Sequence, residues 1–219
     1  MMVEKTPQNL LNIAAVTSAT RALGPGVRSA LWVQGCPFRC PGCIAPEWVL
    51  DEPARLATPE ELVDELLADP SVTGITFSGG EPMLQAAGLA EVVRLARQVR
   101  DVDVICFSGY QLEDLRSQPP NHAVSTFLSQ IDVLIDGPYI AALNDNQGLR
   151  GSSNQRIHYL TPRLITYFLE EAPRRAEINI KDGQAFLVGV PPKGMGQAFS
   201  VAMHEVQSNR YRLLEHERA

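Results

Sequence analysis

The sequence predicts an α/β fold built around a parallel sheet, and three observations predict it. Strand-like apolar runs alternate along the chain with segments of helical period, which is the βαβα pattern of crossover-connected parallel strands. The strand-like runs end in glycine-rich or polar segments, as they do where an α/β sheet binds ligands at its carboxyl edge. The composition is that of an ordinary globular chain, with 45% apolar and 20% charged residues among 219.

The elements follow in order. Residues 27–33 (VRSALWV) read as a strand that stops at Gln34-Gly35. Thr58-Pro59-Glu60-Glu61 is a helix start, with a hydroxyl N-cap, proline at the first helical position and acids in the first turn. That helix runs through Leu62, Val63, Leu66 and Leu67 and stops before Pro70. Residues 74–77 form a short strand running into Ser78-Gly79-Gly80-Glu81-Pro82. Apolar residues at Leu89, Val92, Val93, Leu95, Ala96 and Val99 keep a helical period over 89–99. Two buried-type strands follow, 102–107 ending at Ser108-Gly109-Tyr110, and 131–135 ending at Asp136-Gly137-Pro138. Residues 156–160 make a further strand. Beyond Pro162 the pattern changes: 164–171 suits a helix, and 176–190 suits a hairpin turning at Lys181-Asp182-Gly183-Gln184. The last twenty residues read as a solvated helix or a frayed tail. The chain therefore divides into a core of residues 1–162 and an extension of residues 163–219.

Charge and hydropathy narrow the function classes. A net charge of -6 disfavours non-specific nucleic-acid binding, which draws its affinity from Lys and Arg on phosphates. No apolar run reaches the ~18 residues of a membrane span, and residues 1–11 lack the apolar stretch of a signal peptide. The expected location is the cytoplasm.

Four cysteines are present, and three of them fall in one short run, Cys36-Pro-Phe-Arg-Cys40-Pro-Gly-Cys43. Without an export signal, disulfides are disfavoured, and such crowding suits thiolates gathered on one metal centre. A closed zinc site needs a fourth ligand, which only a distant residue can supply. An iron–sulfur cube held by three thiolates leaves one iron open for a small ligand. Cys106, alone in an apolar strand, reads as a small buried hydrophobe. Asp136 either serves a ligand or shapes a turn with Gly137. Ser108 stands open in the same way, and His158 reads as a sheet histidine within reach of the strand ends.

The spacing Cys36-x3-Cys40-x2-Cys43 resembles the signature of the radical S-adenosylmethionine (SAM) superfamily, and Ser78-Gly79-Gly80-Glu81-Pro82 resembles its Gly-Gly-Glu motif. Gly24-Pro25-Gly26-Val27-Arg28, Cys40-Pro41-Gly42-Cys43, Ser108-Gly109-Tyr110, Val133-Leu134-Ile135-Asp136-Gly137 and the block from Leu149 to Arg156 are similar to the activating proteins of anaerobic ribonucleotide reductases, within the glycyl-radical enzyme activating enzymes. The resemblance covers roughly residues 10 to 160. It departs at Gly42, where many superfamily members carry an aromatic residue, and after Cys43, where Trp48 is kept without the usual asparagine.

The resemblance implies an incomplete (βα)6-type radical SAM barrel with a small C-terminal hairpin appendage. It implies one 4Fe-4S cluster on Cys36, Cys40 and Cys43, and S-adenosyl-L-methionine contacted by Gly42, Ile44, Gly79, Gly80, Glu81, Ser108 and Asp136. Reductive cleavage of that cofactor would yield a 5′-deoxyadenosyl radical that takes hydrogen from a glycine of a glycyl-radical enzyme, with a flavodoxin or ferredoxin-type protein as reductant. The Arg150 to Arg156 block is the expected docking element. Two other readings stay open: a radical SAM enzyme modifying a small molecule or peptide, and a non-catalytic metal-binding module.

Overall fold

The computed structural model describes residues 10–181 and 184–203. Asp182 and Gly183 of the hairpin turn and the expected tail, from 204 onwards, lie outside the described residues.

The chain opens with β1 (Leu11–Thr20) and β2 (Arg28–Val33), an antiparallel pair with two register shifts. A short β3 (Arg55–Ala57) pairs antiparallel with β1, and α1 (Pro59–Leu66) follows. Next come β4 (Gly74–Gly79), α2 (Ala86–Val99), β5 (Asp103–Ser108), α3 (Leu112–Ser117), α4 (Val124–Leu128), β6 (Val133–Asp136) and β7 (Arg156–Tyr159). The sheet order is β3-β1-β2-β4-β5-β6-β7. Neighbours among β2, β4, β5 and β6 are parallel, and β7 returns antiparallel on β6. The result is a mixed α/β fold with a large, mostly parallel sheet.

Local chemistry explains the helix starts. Thr58 accepts from the Glu61 N–H while the Glu61 carboxylate accepts from the Thr58 N–H, a complete capping box with Pro59 at the first helical position. The helix expected over 164–171 is instead a 3-10 helix over Pro162–Tyr167, capped by Thr161 and ended by Phe168 in the left-handed region. Only half of that segment has anything to bury, through Leu164 and Leu169.

The strands are buried on both faces, and the faces differ. Leu31, Val33, Ile75, Phe77, Val104, Cys106 and Leu134 pack against α1, α2 and α4 through Leu62, Leu66, Val93 and Phe127. Cys106 sits wholly inside this layer, where burial pushes its thiol well above the usual range. The opposite face presents Ala30, Trp32, Ile105, Phe107, Val133 and Ile135. It is covered by the extension: Leu164 and Leu169, then a hairpin of β8 (Ala176–Lys181) and β9 (Gln184–Gly189). Phe186 meets Trp32 edge-on at 5.1 Å and Trp48 at 5.6 Å, and Val188 is fully buried. The hairpin is thus a second layer of the molecule as well as an appendage in sequence.

Arg28 pins the strand starts. Its fully buried guanidinium pairs with Asp103 and donates to Thr76 Oγ1, the Ile75 carbonyl and the Pro25 carbonyl. This places the Gly24–Arg28 motif at the edge of the sheet away from the strand carboxyl ends. No helix among the described residues is long and apolar enough to cross a membrane.

Candidate functional site

The carboxyl ends of β2, β4, β5 and β6 open into one cavity of about 540 Å³. Cys36, Cys40 and Cys43 line it from the loop that leaves β2. That loop is folded back onto the strand end. The Gly35 and Cys36 N–H groups donate to the Trp48 and Val49 carbonyls, and Gln34 Nε2 donates to the carbonyls of Glu47 and Leu50. Cys43 N–H closes a turn on the Cys40 carbonyl, with Gly42 between them at φ +81, a conformation that favours glycine. All three thiols are free and half-buried. Burial pushes the Cys36 thiol up to about 11 and raises that of Cys43.

Phe38, inside the cysteine loop, contributes a contact that the sequence reading did not single out. Its ring fills the space where a Cβ of Gly109 would stand and meets Tyr110 edge-on at 4.8 Å. The cysteine loop is therefore seated on the end of β5. The signal lay in Ser108-Gly109-Tyr110, where a glycine beside an aromatic residue marks a close approach.

The Gly-Gly-Glu segment is tied to the same loop. The Gly80 and Glu81 N–H groups donate to the Val33 and Gly35 carbonyls at 2.7 and 2.8 Å. A Cβ on Gly80 would run into the Gly35 backbone, so glycine is required there by packing alone. Gly79, at φ +105, lies against Val33 in the same way. The Glu81 carboxylate is buried and accepts three hydrogen bonds: Met83 N–H at 2.9 Å, Ser108 Oγ–H at 2.9 Å and Gly109 N–H at 2.7 Å. Ser108 Oγ in turn accepts from Tyr110 N–H, so its own proton is free to point at Glu81. Burial pushes the Glu81 carboxyl up to about 7, and the three donors oppose that rise. Glu81 thus couples the end of β4 to the end of β5.

The remaining expected residues divide. Gly42, Ile44, Gly79, Gly80, Glu81 and Ser108 all line the cavity, with Ile44 largely exposed at its rim. Asp136 is not among the lining residues. Its Oδ2 accepts from Leu112 N–H at 2.6 Å at the start of α3, and Arg156 and His158 of β7 lie within 3.5 and 2.9 Å. The His158 ring N–H does not make a hydrogen-bonding angle with it. The block from Arg150 to Arg156 braces itself. Gln155 Oε1 accepts from Gly151 and Ser152 N–H, and its Nε2 donates to the Gly137 carbonyl. Arg150 turns towards Asp145 and backbone carbonyls, and Arg156 pairs with Glu113. Gly151 and Gln155 reach the cavity; Arg150 and Arg156 do not line it.

A further wall comes from the extension, through Arg174, residues 189–194, Gly196 and Gln197. No single sequence motif marks this wall.

Among the described residues no three His, Cys, Asp or Glu side chains converge on one metal ion. A tetrahedral zinc with ~2.3 Å bonds needs its sulfurs within ~4 Å of one another. A cube attaches each thiolate to a different iron and spaces them more widely. Cys36, Cys40 and Cys43 line the cavity as three half-buried thiols on one loop, a donor set that suits an iron–sulfur group. Burial raises the Cys36 and Cys43 thiols, and a bound metal holds such thiols deprotonated.

Comparison with known proteins agrees with this geometry. Residues 22–158 match the model of the 4Fe-4S single cluster domain family. The chain is 37% identical over 150 residues to the anaerobic ribonucleoside-triphosphate reductase-activating protein of Vibrio cholerae, spanning 63% of this chain and 91% of that protein. The protein of the same name from Escherichia coli (strain K12) is 33% identical over 147 residues, again 63% of this chain and 91% of that protein. The pyruvate formate-lyase-activating enzyme of Staphylococcus aureus (strain USA300) is 42% identical over 80 residues, 34% of this chain and 32% of that enzyme.

Proposed function

The chain belongs to the 4Fe-4S single cluster domain family, and from that premise we infer that it is a radical SAM activase, an oxidoreductase that installs a radical on a glycyl-radical enzyme. The observation that carries this reading is the shared cavity, in which the three-cysteine loop and the Gly-Gly-Glu segment are hydrogen-bonded to each other. The reductase-activating relatives are matched over about nine-tenths of their length, so the likeness is not confined to the cysteine segment.

We assign one 4Fe-4S cluster to Cys36, Cys40 and Cys43, leaving one iron for the methionine end of S-adenosyl-L-methionine. Reductive cleavage of that cofactor, with the electron taken from a flavodoxin or ferredoxin-type protein, is the chemistry the centre supplies when loaded. The chain's own residues position and enclose. Gly79 and Gly80 keep the cavity floor free of side chains. Glu81 and Ser108 hold the floor rigid, Gly42 and Ile44 flank the cofactor, and Asp136 acts at a distance by fixing the start of α3. The parallel run β2-β4-β5-β6, each step crossed by helices on one face, supports reading the core (residues 1–162) as an incomplete (βα)6-type barrel. Residues 163–219 are read as an extension, and its described residues close the other face through Leu164, Leu169, Phe186 and Val188. The protein substrate is a glycyl-radical enzyme of the anaerobic ribonucleotide reductase kind. A glycine suits the reaction because its Cα radical is delocalised over the flanking amides and no side chain obstructs attack.

The test is reconstitution with iron and sulfide under anaerobic conditions, followed by dithionite and S-adenosylmethionine. About four irons per chain and production of 5′-deoxyadenosine are expected. Replacing Cys36, Cys40 or Cys43 by Ala abolishes production, and Cys106→Ala retains it. Stoichiometric zinc with no cleavage would contradict the assignment.

A further inference from the structure

The wall built by the extension carries a buried guanidinium that shares its one nearby carboxylate, among the described residues, with a second arginine. Arg174 lies between the 3-10 helix and β8, and its side chain is only 2% exposed. Its terminal nitrogens donate to neutral acceptors: Asn144 Oδ1 at 2.8 Å and the carbonyls of Arg150, Gly151 and Pro191 at 2.6, 3.1 and 3.4 Å. Its Nε is buried without a partner, and so is the Nε of Arg150 beside it. Among the described residues the carboxylate nearest to Arg174 is Asp145, 3.8 Å away and already paired with Arg150 at 2.8 Å. Lys193 stands exposed on the same wall, held by its N–H on Asn146 Oδ1. Two arginines thus share one carboxylate, and Lys193 adds a third cation to the cavity lining. Burial lowers the Arg174 pKa, as an uncompensated buried charge requires.

A guanidinium buried among carbonyls costs free energy unless an anion arrives to complement it. Two features say where that anion comes from. Arg174 and Lys193 both line the cavity, so the anion enters with its occupant. The methionine carboxylate of the cofactor is assigned, with its amino group, to the open iron on the cysteine loop, and is not available to Arg174 and Lys193. We propose that Arg174 and Lys193 form a carboxylate subsite, borne by the extension, which takes an acidic side chain of the substrate polypeptide close to the glycine that is attacked. This deepens the activase reading and rests on it. Lys193 makes the contact from the rim, and Arg174 supplies its charge from inside the wall, where low dielectric strengthens it. The subsite lies outside the matched residues 22–158, so it would distinguish this chain's partner from those of shorter activators.

The test measures binding of short labelled glycine-centred peptides to the reconstituted full chain by fluorescence anisotropy. One set carries a single Glu at successive positions around the glycine, and the control carries Gln throughout. At least one Glu peptide should bind about tenfold more tightly than the Gln control, as a charge-assisted contact does, and added salt should shrink the gap. Lys193→Gln should reduce the preference. Lys193→Glu should invert it towards a Lys-bearing peptide. Arg174→Lys, which keeps the charge, should hold the preference better than Arg174→Gln, with thermal melting reporting any loosening of the extension. Equal binding of every Glu peptide and the Gln control would overturn the subsite, as would succinate binding without any peptide preference. The activase reading is judged separately, by radical formation on the intact partner, and survives or fails independently of these peptides.

Discussion

Glu81 receives two backbone N–H groups and a hydroxyl, all within 2.9 Å, in a fully buried position. Removing the carboxylate strands the Gly109 and Met83 donors away from water. Glu81→Ala should therefore cost on the order of 2–4 kcal/mol by chemical denaturation, whereas Glu81→Gln, which keeps an acceptor oxygen, should cost less. Gly80 makes a second residue-scale prediction. Because the missing Cβ would meet the Gly35 backbone, directly before Cys36, Gly80→Val should disturb the cysteine loop itself. Iron content after reconstitution should fall along with cofactor binding, and stability should drop by about 2–3 kcal/mol. Full iron loading with only cofactor binding lost would instead mean that the glycine serves the cofactor alone. Arg28 gives the contrast. Arg28→Leu leaves Asp103 without its buried partner and should cost about 3 kcal/mol or more. Yet iron per folded molecule should be unchanged, since the residue sits at the strand starts.

At the scale of elements, the hairpin is the part with most at stake. Phe186 packs on Trp32 and Trp48, and Trp48 also accepts the hydrogen bond from Gly35 that folds back the cysteine loop. Phe186→Ala should destabilise the protein by about 2–3 kcal/mol and raise the oxygen sensitivity of the reconstituted cluster, read by the decay of its visible absorbance in air. Elements of this kind differ in how far the sequence reveals them. The capping box at Thr58 and the mostly apolar strands β4, β5 and β6 are local signals, complete within a few residues, and they are legible. β1 is not, because its burial is irregular along Leu11–Thr20 and its pairing with β2 slips twice. α3 and α4 span six and five residues, too short for a helical period to register. The hairpin itself is legible from its turn; the face it covers is not, since Phe186 and Val188 meet their partners only after the chain has folded.

For the whole molecule, the cysteine spacing and the strand-end motifs reveal the cluster side of the cavity because each motif is contiguous. Another wall joins Asn144, Gly151, Arg174 and Lys193 across the chain, and only the fold brings them together. The Arg150 to Arg156 block shows the converse. It is prominent in the sequence, yet most of its side chains brace the loop from within, and the cations lining the cavity are Arg174 and Lys193. The central claim is that this cavity moves a hydrogen atom from a glycine of another protein. The most direct measurement combines the reduced, reconstituted protein with S-adenosylmethionine and a candidate glycyl-radical enzyme encoded beside it, labelled with α-deuterated glycine. Electron paramagnetic resonance follows the partner, and mass spectrometry follows the 5′-deoxyadenosine. A glycyl signal together with deuterium in the 5′-deoxyadenosine is the result expected. Abundant 5′-deoxyadenosine without deuterium, and with no glycyl signal, would contradict the account.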